Sequence, residues 1–261
     1  MDKKKKLVIA NWKMNPLAVG EAVRLFDEIR NSTNRATLVQ TVICPPFIFI
    51  DALKKRVRGH HCTVGAQDVS LEKGTGAHTG EVSVEQLLSL GVSHVIVGHS
   101  ERRSRGETNE IINEKLTRVL KNGLVAILCV GERERDKDGE YLREVAKQIV
   151  VGARKIQRRY LLNLIIAYEP VWAIGTGGHG PATTEDASQM GIFIRKVIAE
   201  IAGSDLAHSM PIIYGGSANA EDAAGFVGKG AMDGLLVGRE SLKSKNFSQI
   251  VQIVNAQNKK K

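Results

Sequence analysis

The residues best equipped for chemistry stand at the ends of short apolar runs. Glu169 closes an apolar stretch that reads as a buried strand. Pro170 stops the ladder, because it has no N–H. Residues 171–174 are apolar but too few for another strand, and Gly175 and Gly177 then supply permissive backbone. A rigid leading side, an apolar tip and a glycine-containing far side describe a lid with a carboxylate at its hinge. A carboxylate so placed can move a proton once water is shut out.

Other runs end in complementary groups. Run one leads to Asn11 and Lys13, run three to Gln67, and run four to His99, Ser100, Glu101, Arg102 and Arg103. Run five leads to Glu132, run seven to Gly215, Gly216 and Ser217, and run eight to Gly238 and Arg239. His99 precedes a predicted helix that starts at Ser100. The positive end of a helix dipole favours the neutral imidazole, which donates a hydrogen bond to a carbonyl oxygen and still exchanges protons. Backbone N–H groups of Ser217, Gly238 and Arg239, with a short helix starting at Glu240, can cradle an oxyanion, and Gly175 adds another when the lid closes. Each group has an ordinary explanation by itself: a solvated lysine, a structural histidine, a tight turn, arginines paired with nearby acids. Their convergence on one rim favours a site.

That convergence depends on the elements behind it. Eight apolar runs recur, at 7–10, 38–44, 62–66, 94–97, 124–129, 164–168, 211–214 and 234–237. Segments with helical spacing lie between them, at 21–30, 108–120, 187–201, 221–227 and 246–254. Alternating strands and helices imply right-handed βαβ crossovers and a parallel sheet. Eight units in 261 residues leave about 33 each, enough for a strand, a helix and two loops. The expected fold is therefore α/β, a single (β/α)8 barrel over residues 7–254, with basic tails at 1–6 and 255–261. An open doubly wound sheet is the alternative, but its glycine-rich dinucleotide fingerprint is missing after the first run. In either architecture ligands bind beyond the carboxyl ends of the strands.

Composition narrows the function. The formal net charge is +9, of which the tails carry +6: four lysines at 3–6, less Asp2, plus three at 259–261. The remaining +3 is a weak case for nucleic acid and suits a small anionic substrate. The lysine runs are expected to be solvated. Three cysteines, Cys44, Cys62 and Cys129, are odd in number and have no close-spaced pair, which argues against disulfides and zinc and for a reducing compartment. His60 and His61 are neighbours that a strand would point to opposite faces. No apolar stretch approaches the ~20 residues of a membrane span, and residues 7–10 are too few for a signal-peptide core. A cytoplasmic location is expected, without membrane or nucleic-acid partners.

Five motifs together carry a family resemblance: Asn11-Trp12-Lys13-Met14-Asn15, Gly65-Ala66-Gln67, residues 97–103, residues 168–177 and Tyr214-Gly215-Gly216-Ser217. Over residues 7–254 the chain resembles the triosephosphate isomerase family. The resemblance implies interconversion of dihydroxyacetone phosphate and glyceraldehyde 3-phosphate, a step of glycolysis and gluconeogenesis, with no cofactor and no metal. Glu169 would be the base, and His99 would serve the two oxygens, an arrangement already known for this family. Lys13 and Asn11 would stabilise the enediolate, and Glu101 would position the lysine. A homodimer, or a tetramer, is implied, with the 76–81 tip carrying His78 and Thr79 against the partner. A histidine there would make the interface sensitive to pH.

The chain departs from the family pattern in four places. His78 stands where an aromatic is usual. Residues 103–107 are one residue short and lack an aromatic. The lid's far side, 178–183, is about two residues longer, and Arg239 replaces a frequent glycine. None removes a catalytic residue. Two competing functions differ in what they require. Another phosphate-binding barrel with enol chemistry needs a different base. A basic, non-catalytic nucleic-acid-binding barrel needs cations clustered on the folded body.

Overall fold

The structure is a computed structural model and describes residues 5–173, 180–228 and 232–259. Among the described residues, eight strands alternate with helices. The strands are β1 (Lys6–Asn11), β2 (Val39–Cys44), β3 (Cys62–Val64), β4 (His94–Val97), β5 (Val125–Val130), β6 (Leu164–Tyr168), β7 (Ile212–Tyr214) and β8 (Gly234–Val237). The α-helices are α1 (Val19–Thr33), α2 (Ile50–Lys54), α3 (Val84–Ser89), α4 (Ser100–Arg103), α5 (Asn109–Lys121) and α6 (Glu140–Gly152), followed by α7 (Arg158–Leu161), α8 (Thr184–Ala202), α9 (Ser204–Ser209), α10 (Ala220–Gly228) and α11 (Ser244–Lys259).

All seven strand pairings are parallel, in the order β3-β2-β1-β8-β7-β6-β5-β4. The two end strands meet beyond β3. Ala66 bridges Val95, its N–H donating to His94 O at 2.8 Å and its carbonyl accepting the Ile96 N–H at 2.9 Å. That closure makes the sheet a barrel and removes the open-sheet alternative.

Side chains alternate between the two faces of each strand. Ile9, Val42, Cys44, Ile96, Ile127, Cys129, Ile165, Ala167, Ile213 and Leu236 form the interior cluster. Val8, Ala10, Val95, Val97, Leu128, Ile166 and Tyr168 belong to the larger core against the helices. The inward parity of Ile9 continues to Asn11, and that of Ile165 and Ala167 continues to Glu169. The same period that fills the barrel thus delivers two polar groups to its upper mouth.

Several expectations are corrected. The 255–261 segment is not a tail over its described length, because α11 runs to Lys259. Asn255 Oδ1 accepts the Leu38 N–H, and Asn258 Nδ2 donates to Leu38 O. Lys6 belongs to β1 rather than to a solvated run. His60 and His61 precede β3 instead of lying on it. Helix α6 escapes the apolar pattern because its buried stripe, Val145, Gln148, Ile149 and Gly152, contains an amide.

Lys6 Nζ donates to Met232 O at 2.9 Å and lies 3.3 Å from Asp233 Oδ1. Arg195 Nη2 and the Ile212 N–H donate to Asp233 Oδ2 at 2.7 and 3.1 Å. Burial pushes the Asp233 carboxyl up, but Lys6, the Ile212 N–H and Arg195 together hold it below its ordinary 3.8. A carboxyl depressed in the folded state adds stability above its unfolded value and loses it as the pH falls through the folded value. Asp233→Asn should therefore cost about 2 kcal/mol at pH 7. The difference from the parent chain should narrow as the pH falls below 3.8. Urea unfolding at pH 7 and pH 3 measures both.

Candidate active site

The carboxyl ends of β1, β4 and β6 bring four sequence-selected side chains into one line of contacts. Glu169, 2 % exposed, comes directly after β6. Its Oε2 accepts the Ser100 N–H at 3.0 Å, and its Oε1 lies 3.2 Å from His99 Nε2. His99 is the N-cap of α4, and its Nδ1 accepts the Glu101 N–H at 3.2 Å. A nitrogen that accepts a backbone N–H carries no proton, so the ring's proton sits on Nε2, facing Glu169. Glu101 Oε1 then takes Lys13 Nζ at 2.5 Å. Burial pushes the Glu101 carboxyl up, but the Lys13 hydrogen bond and the charges of Lys13 and Arg105 outweigh it and hold it low. Both partners are partly exposed, so this pair sets geometry more than stability.

Lys13 is one of two non-glycine residues with positive φ among those described, at 51°. Such a backbone persists only where neighbours impose it. Asn11 Oδ1 accepts the Lys13 N–H at 3.0 Å. Gln67 Nε2 donates to Lys13 O at 2.8 Å and to Cys44 O at 2.9 Å. Gln67 therefore ties the ends of β1 and β2 together and holds the lysine loop, a task its position at a strand exit did not disclose.

One of the segments expected to hold an oxyanion runs beside the lysine. Gly238 caps a 3-10 helix, Arg239–Leu242, and the Cβ direction of Gly238 points to Lys13 Cε at 3.7 Å. Ser217 lies exposed on the loop between β7 and α10. Gly175 lies outside the described residues, as do residues 174–179 of the lid. His78 and Thr79 sit on the exposed loop between β3 and α3 and take no part in these contacts; His78 Nε2 is 3.5 Å from Glu72 Oε2.

The leading side of the lid is fastened to β5. Val171–Ala173 form one 3-10 turn. Fully buried Glu132 accepts three hydrogen bonds at Oε1, from Tyr168 Oη (2.8 Å), Trp172 Nε1 (2.8 Å) and Arg135 Nε (3.0 Å). Arg135 also stacks 4.8 Å over the Trp172 ring and pairs with Asp186 at 2.5 Å. Asp186 is the capping-box partner of Thr183 at the start of α8. One guanidinium thus contacts Trp172 on the lid's leading side and, beyond the lid, the Asp186 carboxylate that accepts the Thr183 N–H. Glu132 stood out in the sequence only as an acid; Arg135 and Trp172 gave no such signal. Of the two arginines after His99, Arg102 pairs with Glu107 (2.7 Å) and Asp68 (3.1 Å) as expected. Arg103 instead donates to Gly98 O, Asn109 Oδ1 and Cys129 O.

The sequence profile described as triosephosphate isomerase matches residues 6–254. The triosephosphate isomerase of Treponema pallidum (strain Nichols) is 43% identical over 252 residues, covering 95% of this chain and 98% of that protein. Those of Geotalea uraniireducens (strain Rf4) and Clostridium botulinum (strain Okra / Type B1) are 39% and 38% identical over 251 and 247 residues, again covering 98% of each. A barrel closed on itself, a carboxylate and an imidazole facing each other at its mouth, and end-to-end likeness agree: the chain belongs to the triosephosphate isomerase family, whose reaction interconverts dihydroxyacetone phosphate and D-glyceraldehyde 3-phosphate.

Proposed function

We propose that Glu169 is the base of this isomerisation. It takes a proton from one carbon of the triose and returns it to the neighbouring carbon. His99 donates through Nε2 to the carbonyl oxygen and moves a proton between the two oxygens. Lys13 and Asn11 stabilise the enediolate negative charge, which exists only along the reaction path and so lowers the barrier rather than merely tightening binding. Glu101 positions Lys13. The backbone N–H groups of Ser217, Gly238 and Arg239 hold the phosphate, and Gly175 joins them from the lid. The observation that carries this reading is the unbroken sequence Glu169–His99–Glu101–Lys13–Asn11, each link between 2.5 and 3.2 Å. In its resting contact Glu169 is held by the Ser100 N–H and must release it to reach a substrate carbon. A coupled assay of dihydroxyacetone phosphate isomerisation tests the assignment, with the substitutions given in the Discussion.

The same reading includes a homodimer acting in the cytoplasm. Its support is an apolar surface beside the catalytic lysine: Met14 is 91 % exposed, Leu17 96 % and Ile48 79 %. Three such side chains on the loops after β1 and β2 suit a partner surface better than water. The 76–81 tip, with His78 and Thr79, is the segment of the partner assigned to that surface. Leu17→Asp should then lower the sedimenting mass from twice 28.4 kDa to 28.4 kDa at micromolar protein. A parent chain that sediments at 28.4 kDa under the same conditions rules the dimer out. All three cysteines are free and buried, in keeping with a reducing compartment. No helix among the described residues is long and apolar enough to cross a membrane.

A further inference from the structure

Strand β5 outlasts its neighbour. β4 ends at Val97, opposite Leu128, and the chain then turns away to place His99. β5 continues to Val130, and its pairing with the β6 side continues further still. Alternate residues of a parallel strand direct both backbone groups to opposite neighbours. Val130 and Glu132 face the β6 side, where their carbonyls accept the Glu169 and Val171 N–H groups at 2.8 and 3.0 Å. Cys129 and Gly131 face the side that β4 has left. Side chains serve them there. Arg103 Nη2 donates to Cys129 O at 3.1 Å. Gln148 Oε1 accepts the Gly131 N–H at 2.8 Å, and Gln148 Nε2 donates to Gly131 O at 3.0 Å.

A primary amide offers the same donor–acceptor pair as a strand residue. Gln148, 4 % exposed in the apolar stripe of α6, presents that pair where β4 is missing. The position matters because Gly131 approaches the main chain of Glu169 so closely that no side chain fits between them. A Cβ at Gly131 would lie 1.7 Å from Glu169 O and 3.3 Å from Glu169 Cα. Whatever fixes the Gly131 peptide also fixes the backbone that carries Glu169 and the first turn of the lid.

We propose that Gln148 is a positioning residue for the isomerisation: it replaces the missing edge of β4 at Gly131 and so sets the backbone from which Glu169 and the lid project. It touches no substrate. The proposal rests on Glu169 being the base. Glu169→Gln tests that separately, since it leaves Gln148 and Gly131 untouched.

The experiment compares Gln148→Leu, which keeps the volume and loses both hydrogen bonds to Gly131, with Gln148→Glu, which keeps an acceptor for the Gly131 N–H and loses the amide donor to Gly131 O; both variants also lose the 3.3 Å bond from Gln148 Nε2 to Glu144 Oε1. Three quantities are read: kcat, KM, and the fraction of turnovers ending in methylglyoxal. Methylglyoxal arises when the enediolate breaks its C–O bond, the electron pair leaves with inorganic phosphate, and the resulting enol tautomerises. A misplaced base costs on the order of 10²-fold in rate. Gln148→Leu should lower kcat by about that factor, leave KM within about threefold, and raise the methylglyoxal fraction, because the lid hinge shifts with the base. Gln148→Glu should fall between Leu and the parent chain in kcat and in that fraction. The fraction does not depend on how much protein is folded, so simple destabilisation leaves it unchanged. A kcat for Gln148→Leu within threefold of the parent overturns the proposal, as does a lower kcat with an unchanged methylglyoxal fraction. If the leucine variant does not fold, Gln148→Glu decides by the same two readings.

Discussion

Glu169→Gln should lower kcat by about 10³-fold or more, with KM changed by only a few-fold. The substitution keeps the side-chain length and one carbonyl oxygen, so the Ser100 N–H retains an acceptor and the fold should survive. What disappears is the capacity to hold a proton between the two carbons. A 10³-fold loss corresponds to about 4 kcal/mol of transition-state stabilisation, within the range assigned to a positioned general base. Glu169→Asp gives a complementary result. It keeps the carboxylate but withdraws it by one methylene, and misplacement on that scale costs on the order of 10²-fold. Activity of Glu169→Gln within tenfold of the parent chain would remove Glu169 from the base's role.

Lys13→Met should reduce kcat/KM by at least about 10³-fold, because one cation serves both the phosphate of the bound substrate and the enediolate that forms from it. The backbone at Lys13 is held by Asn11 and Gln67 through main-chain atoms, so the methionine variant should fold with its loop in place. Lys13→Arg should recover only a small part of the loss. The ammonium meets Glu101 at a single short contact of 2.5 Å, and a planar guanidinium on a longer fork does not occupy the same point. Full recovery by arginine would show that positive charge alone suffices and that the placement set by Glu101 is immaterial. Both series need only the coupled assay and a thermal melt that reports the folded fraction.

Most of the frame is legible in the chain's local pattern. β4, β6 and β8 fall at 94–97, 164–168 and 234–237, and the remaining strands shift by one or two residues at their ends. Apolar runs bounded by glycine and polar residues are local signals, and a buried parallel strand has little else it can look like. The candidate catalytic residues are legible for the same reason, since a barrel gathers the residues just past its strands at one rim. Less is visible where a residue acts across chain separations. Gln148 reads as an interruption of an amphipathic pattern, and its partner, Gly131, lies 17 positions away. Arg135 stands among charges in a stretch that reads as solvated, yet it meets Tyr168, Trp172 and Asp186. Lys6 looks like one more residue of a basic tail, and Asp233 gives it a place only once β1 and β8 are side by side.

Local pattern accounts for the eight alternating units, for Asn11 and Glu169 standing just past their apolar runs, and for the helix start that favours a neutral His99. These arise from periods of two and 3.6 residues and from the few groups able to satisfy a helix terminus. Tertiary structure alone decided that the sheet closes, through Ala66 and Val95, and that Lys13 holds φ at 51° under the grip of Gln67. It also decided that the open edge of β5 is completed by side chains from α4 and α6. Each of these rests on backbone groups finding partners far along the chain. A buried N–H or C=O must be paired, but nothing in its neighbouring residues states with what.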